Sequence, residues 1–351
     1  MGHIDPRLAL YDYRLPPEAI ARTPPPSRDG GRLLYRRGGC WVDGHIPDLV
    51  STFNSGDVLV VNDTRVLSAR MYGHRSTGGR VELLLLGPGP GAVSAMVRPS
   101  KKIAEGEVIQ LVSRDGSPSA HSACVGPPTL GGARRVELSD DPLLVMAQCG
   151  HVPLPPYINR PATSDDEERY QTVFADEPGA VAAPTASLHL TTTLLDELKA
   201  RGVEVHSVTL HVGAGTFRNL RSEDLDRGEL HREWFRIPEQ TAAAIAAARA
   251  RGSSITAVGT TVTRTLETAA VEGGHVRVGS GETTLFIRPG FEFQVVDRLL
   301  TNFHLPRTSL LMLVCAFGGR EQVMAGYDAA IARGLRFYSY GDAMLIDRGN
   351  P

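Results

Sequence analysis

The sequence predicts an α/β protein, a larger α/β domain with a mostly parallel sheet, interrupted by an inserted small β-barrel domain. Three observations carry this. After Gly150, apolar strand-like runs alternate with helical stretches, a pattern that implies right-handed βαβ units. From Ala69 to about Ser139 no helical period is sustained, and short β-rich runs alternate with Gly- and Pro-rich turns, as in a small barrel or sandwich. Several apolar strands also release polar residues at their carboxyl ends, where open α/β sheets bind ligands. The expected division is residues 1–68 with 151–351 for the α/β part and 69–150 for the insertion.

At 351 residues the chain has room for two domains, and 42% hydrophobic with 22% charged residues is ordinary for a globular protein. No apolar run approaches the roughly 18 residues a membrane span needs. MGHIDPRLALYDY lacks the charged-then-apolar order of a signal peptide, so no membrane partner and a cytoplasmic location are expected. Cys40, Cys124, Cys149 and Cys315 are scattered without metal-ligand spacing and read as reduced thiols, with no metal expected. A net charge of −2 excludes a globally basic nucleic-acid binder while leaving room for a local basic patch. The absence of a long heptad or a large apolar face favours a monomer.

In chain order, residues 11–20 are extended and lead through two prolines into a short helix, and TPPPSRD at 23–29 excludes regular structure because proline removes donors and fixes φ. A hairpin is expected around residues 32–41 and a helical turn at 47–53. GDVLVV at 56–61 is a buried strand that delivers Asn62-Asp63-Thr64-Arg65, a set typical of sites and equally of turns. The β-rich interval carries runs at 80–86, 93–97, 108–112, 121–125 and 134–138. It also bears Arg98-Pro-Ser-Lys101-Lys102, the densest basic cluster, whose plainer reading is a solvated loop.

Further on, 165–174 is expected to be helical in its acidic start and then to run out, and a helix is expected at 192–201, ended by Gly202. A strand at 203–211 follows, then an Ala-rich helix between Pro238 and Gly252. A strand at 255–258 delivers Gly259-Thr260-Thr261, with a helix to about 271. Strands at 286–289 and 295–300 precede Thr301-Asn302-Phe303-His304, and helices follow at 309–317 and 319–334.

Three strand ends carry polar clusters that a parallel sheet would gather on one rim: His211 with Gly213 and Gly215, Thr260 and Thr261 with Arg264 and Glu267, and Asn302 with His304. In TLHVGAGTF the paired glycines allow close backbone approach to a ligand, although G-x-G without a third glycine is no dinucleotide fingerprint. Arg264 and Glu267 stand one helical turn apart, either a surface ion pair or an arginine held for a ligand anion. His189, His211 and His304 are candidates for proton transfer near neutral pH. Taken alone, the residues describe a polar small-molecule site in an α/β enzyme of unspecified reaction.

Longer blocks are more specific. YDYRLPPEAIARTP, GDVLVVNDTRVLSAR, RPSKKIAEGE, GHVPLPPYI and RYQTVFADEPGAVAAPTASLHLT occur in that order. VTLHVGAGTF, AVGTTVTRTLE, LFIRPGFEF, VVDRLLTNFHLPRTSLLMLVCAFGGRE and FYSYGDAML follow. In these blocks, nearly end to end, the chain resembles the S-adenosylmethionine:tRNA ribosyltransferase-isomerase family of queuosine biosynthesis, with residues 80–150 the loosely matched part. The resemblance implies the same two-part fold. It implies transfer of the ribosyl part of S-adenosylmethionine onto 7-aminomethyl-7-deazaguanine at the tRNA wobble position, with rearrangement to an epoxycyclopentane, giving epoxyqueuosine, and loss of adenine and methionine. S-adenosylmethionine is then a substrate and no metal is implied.

On that resemblance, His211 or His189 is the base for the C5′ proton that the sulfonium acidifies, and His304 is a donor or orienting group. Gly213, Ala214, Gly215 and Thr216 would line the donor's ribose or methionine end. Thr260, Thr261 and Arg264 would hold its carboxylate or a tRNA phosphate, with Thr185, Glu267 and Asn302 completing the substrate-binding set. Asn62, Asp63 and Arg65 would read the deazaguanine edge or anchor the anticodon loop, and Arg98, Lys101 and Lys102 would contact tRNA phosphates. The chain departs from the family's usual residues at Ser187, Leu190, Val262, Thr263, Arg232 and Glu282. Those departures leave open a paralogue acting on a non-tRNA deazapurine, and a non-catalytic RNA-binding protein is the rival from another class.

Overall fold

The computed structural model describes residues 5–87, 93–213, 215, 220 and 222–349. Its centre is Val58–Asn62, a strand buried at every position. An uninterrupted apolar run of this kind suits a strand covered on both faces. Val58 and Val60 pack into one core with Ile245, Ala248, Val262 and Leu266, while Leu59 and Val61 pack into another with Leu194, Leu195 and Leu198. The alternation of strand side chains thus places helices Glu239–Arg251 and Thr260–Ala269 on one face and Thr192–Ala200 on the other.

Val58–Asn62 pairs in parallel with Glu204–Leu210 on one side and Ile255–Val258 on the other, and the latter pairs in parallel with Arg298–Asn302. Beyond this parallel centre the nine-stranded sheet is mixed. Glu229–Ile237 and Gly279–Leu285 extend one edge antiparallel. Ala343–Asp347 runs antiparallel to Arg298–Asn302, then pairs in parallel with Arg32–Arg37, whose antiparallel partner is Cys40–His45. The parallel character predicted from the βαβ repeats therefore belongs to the four central strands. The antiparallel hairpin of Arg32–Arg37 with Cys40–His45 falls where one was expected around residues 32–41, whereas the strand Glu229–Ile237 was not anticipated, because charge interrupts its apolar period in ELHREWFRI. The strand expected at 286–289 lies just past Gly279–Leu285, where Phe286 and Ile287 are buried outside regular structure. Helix Glu239–Arg251 begins after Pro238 and ends at Gly252 with φ of 71°, a left-handed stop that glycine adopts without strain.

The second sheet closes on itself. Arg70–His74, Arg80–Leu85, Val93–Arg98, Arg134–Leu138, Pro118–Pro128 and Glu107–Val112 pair in that order, and Gly73 opposite Leu111 completes the ring. A Cβ on Gly73 would lie 2.6 Å from the Gln110 carbonyl oxygen, so the closure requires glycine. The barrel has its own core of Met71, Leu83, Leu85, Ala95, Ile109, Ala123 and Val136. Helix Pro142–Cys149, absent from the sequence expectation, adds Val145, Met146 and Cys149 to that core. Asp141 caps it through the N–H groups of Leu143 and Leu144 at 2.9 and 3.2 Å.

Candidate active site

Three of the four central strands end at one cavity, partly open to solvent. Val212 follows the first strand, Gly259, Thr260 and Thr261 the second, and Thr301 to Leu305 the third. Residues 182–186 and Tyr338–Ser339 form the remaining walls. Gly259, at φ of 90°, turns the chain from strand into helix Thr260–Ala269, so the donor-rich start of that helix lies at the wall. Tyr338 is held at φ of 79°, a strained conformation for a non-glycine residue, and its ring packs on Tyr157 at 3.9 Å. Among the described residues no Asp, Glu, Lys or Arg lines the cavity; its polar groups are threonine and serine hydroxyls, Tyr338, Asn302 and His304.

His304 is pinned on three sides. Its Nε2 lies 2.9 Å from Thr301 Oγ1, its N–H donates to the Tyr327 hydroxyl at 3.0 Å, and its carbonyl accepts from the Tyr13 hydroxyl. Burial lowers its pKa to about 3, so the ring is neutral at pH 7 and orients rather than donates as an imidazolium. Asn302 lines the same cavity, and its amide N–H donates to Nε2 of His189 at 3.2 Å. His189 is buried behind it, with its pKa lowered to about 4 by burial and by Arg336. The Oδ1 of Asn302 is buried without a partner, an acceptor available to a hydroxyl or N–H of a ligand.

Of the three candidate histidines only His304 lines the cavity, and His211, like His189, does not. Val212 lines the cavity but the His211 side chain does not: its Nδ1 lies 2.9 Å from Thr64 Oγ1. The imidazole stacks on Trp234 at 4.9 Å with an interplanar angle of 21°. A Cβ on Gly179 would come 2.5 Å from that imidazole, so the glycine makes room for it. Burial lowers the pKa of His211, partly opposed by Glu177 and Asp63, and the ring is neutral near pH 7.

The expected Arg264–Glu267 pair is not formed. Arg264 turns to Glu233 on the neighbouring strand and donates from Nε to the Leu285 carbonyl at 3.0 Å. Glu267 instead accepts from the N–H groups of Gln294, Val295 and Val296 at 2.8, 3.1 and 2.9 Å, anchoring the approach to Arg298–Asn302. Neither side chain lines the cavity, because a residue one helical turn in from the start projects past its wall. Sequence reasoning missed Glu233 and His231 as members of this group. Glu233 accepts from the Gly213 N–H at 3.0 Å and from Nε2 of His231 at 3.1 Å. Burial alone would raise its pKa, but His231 and Arg264 hold it down at about 2. A Cβ on Gly215 would lie 2.6 Å from the His231 ring, so both glycines of the G-x-G are placed by this cluster. The signal was a buried-strand pattern in which a carboxylate occupies an inward position. Ala214 and Thr216 lie outside the described residues.

Asn62 and Asp63 are engaged within the sheet and not available to read a base edge. The Asn62 amide bridges to the Leu210 carbonyl and N–H at 2.9 and 3.0 Å, and Asp63 accepts from the Ser207 and Thr209 hydroxyls, both at 2.7 Å. Polar groups at a strand end here serve the strand next door. Arg65 is exposed and donates to the Ala175 carbonyl at 2.9 Å, and Thr185 lines the cavity. Arg98, Lys101 and Lys102 are exposed on the barrel, with no ion pair among the described residues. Ser187 lies in the short helix Thr185–His189 rather than at positive φ, so its side chain causes no backbone strain. Two other departures prove to be partners: Arg232 donates to Glu282 at 3.1 Å across adjacent strands.

The sequence is 48% identical over 346 residues to an S-adenosylmethionine:tRNA ribosyltransferase-isomerase of Citrifermentans bemidjiense, covering 97% of this chain and 99% of that one. It is 51% identical to the protein of the same name from Acidithiobacillus ferrooxidans, with 96% of each chain covered. A solved crystal structure of an S-adenosylmethionine tRNA ribosyltransferase from Thermotoga maritima matches 96% of this chain and 99% of that one, at 33% identity and a TM-score of 0.54. With residues 8–346 matching the family described as queuosine biosynthesis protein, the chain that builds this uncharged cavity at its central strand ends belongs to that family.

Proposed function

We propose that this chain transfers and isomerises the ribosyl moiety of S-adenosylmethionine onto 7-aminomethyl-7-deazaguanine at the tRNA wobble position, releasing adenine and methionine and leaving epoxyqueuosine. The observation that supports this reading best is the cavity at the central strand ends, rich in hydroxyls and free of charged side chains among the described residues. Such a lining suits the sugar and base of the donor, whose hydroxyls and ring nitrogens need neutral partners. Thr260, Thr261, Thr301 and the unpaired Oδ1 of Asn302 hold them, and neutral His304 orients the leaving adenine.

His211 is the base we assign to the C5′ proton, since it is neutral and only half-buried, whereas His189 is closed off behind Asn302. Proton removal generates an ylide adjacent to sulfur; the neutral amine of the tRNA base forms its bond to the sugar with the C–N bond to adenine broken, adenine taking up a proton as it leaves, and closure of the epoxide breaks the C–S bond and expels methionine. The closed sheet, taken as an inserted domain of residues 69–150, presents Arg98, Lys101 and Lys102 to the RNA backbone. The protein acts on tRNA in the cytoplasm.

The test uses purified protein, S-adenosylmethionine and an anticodon stem-loop bearing the aminomethyl base, following adenine release and RNA mass together. Adenine release with the mass gain of an epoxycyclopentane supports the reading. S-adenosylmethionine binding with no change in RNA mass sinks it and directs the search to free deazapurines.

A further inference from the structure

We propose that Trp234, flanked by Arg232 and Arg236, is the platform on which an unpaired RNA nucleotide rests beside His211; this rests on the proposed tRNA acceptor. The three residues occupy alternate positions of Glu229–Ile237 and so share one face, while Glu233, Phe235 and Ile237 are buried on the other. Trp234 is 37% exposed, a large apolar ring on an otherwise charged face. Its stacking on His211, at 4.9 Å, already fixes the indole plane. A rigid aromatic on a sheet face, with guanidinium groups on either side, is how single-stranded RNA is held: a base stacks on the ring and its phosphates meet the arginines.

The side chains of Arg232 and Arg236 are 75% and 41% exposed, and each is paired with an exposed carboxylate, Glu282 and Glu177 respectively. Ion pairs so exposed are weak, so phosphate can displace the carboxylates. An apolar protein or lipid partner does not fit, because the ring is bracketed by charge. His211, on which Trp234 stacks, is followed directly in the chain by Val212 of the cavity wall.

The chain has two tryptophans, and Trp41 packs against Gly326 within 2.7 Å of a Cβ placed there. In a Trp41→Phe background, indole emission therefore reports on Trp234 alone. The stem-loop bearing the aminomethyl base should quench that emission, and S-adenosylmethionine alone should not. Trp234→Ala should weaken stem-loop binding roughly 10- to 100-fold, and Trp234→Phe should restore most of it. Arg232→Gln and Arg236→Gln should each flatten the salt dependence by about 0.7 in the log–log slope. If the wild-type protein binds and modifies the stem-loop while Trp234→Ala binds it equally well, the platform is wrong and the proposed function stands. If the wild-type protein does not bind the stem-loop at all, the tRNA acceptor and the platform fall together.

Discussion

The cavity and the Glu233 cluster sit on successive turns of one helix, Thr260–Ala269, and treat buried polarity in opposite ways. At the cavity, Thr260 and Thr261 share the lining with other hydroxyls and with His304, which burial keeps neutral by lowering its pKa to about 3. One turn later, Arg264 meets Glu233, which stays ionised at about 2 although it is equally removed from water. Burial alone discharges a group, whereas burial beside a fixed opposite charge and a backbone N–H preserves the charge. On the proposed function the division makes chemical sense: the neutral pocket would serve the sulfonium donor, while the charged clamp holds the Gly213 N–H.

The sharpest test of the division is His211→Ala, which should cut turnover roughly 10²- to 10⁴-fold while leaving the thermal unfolding midpoint unchanged. Retained turnover would move the base elsewhere. Breaking the clamp should act on stability instead. Arg264→Ala removes the charged partner of buried Glu233, at a cost of about 3–5 kcal/mol, measurable as a lowered urea midpoint. Replacing both, as Arg264→Met with Glu233→Leu, should recover most of that stability but lower turnover, because the Gly213 N–H loses its acceptor.

Lowering pH separates the two regions. His304 and His189 have folded pKa values of about 3 and 4, below the ordinary 6.5, so the unfolded chain takes up their protons first. Stability contributed by keeping them neutral is complete above pH 6.5 and falls as pH drops from there towards those values. Glu233 is depressed from 4.5 to about 2, so its contribution is present above 4.5 and is lost only below it. Between pH 6.5 and 4.5 the histidines therefore act without Glu233, and His304→Gln should flatten the pH dependence of the urea midpoint in that interval. An unaltered slope would show that His304 is not held neutral. The smallest effect is expected far from both regions: replacing Lys101 or Lys102 by Gln should reduce the salt slope of tRNA binding by about 0.7–0.9 each and shift folding by less than about 0.5 kcal/mol.

The central strands were legible because Val58–Val61 and Ile255–Val258 are continuous apolar runs, which few alternatives to a doubly covered strand explain. The closed barrel was legible as a change of texture, but its Pro142–Cys149 helix was not, since an eight-residue apolar stretch reads equally as a strand. The strand Glu229–Ile237 was hidden by its charges, and with it the partner that Arg264 chose. Asn62 and Asp63 looked like site residues because nothing local distinguishes a polar group awaiting a ligand from one bridging to the next strand.

By itself the sequence determined the family, through long ordered blocks, and the α/β frame, through local apolar period and turn residues. Only the tertiary structure decided which polar residues share the cavity. Thr301, Asn302 and His304 meet Thr185, Thr260 and Thr261 there, whereas His211, one residue before Val212 of the cavity wall, packs on Thr64 and Trp234. Successive strand residues face opposite sides, and which side is the cavity depends on what distant strands and helices pack against it.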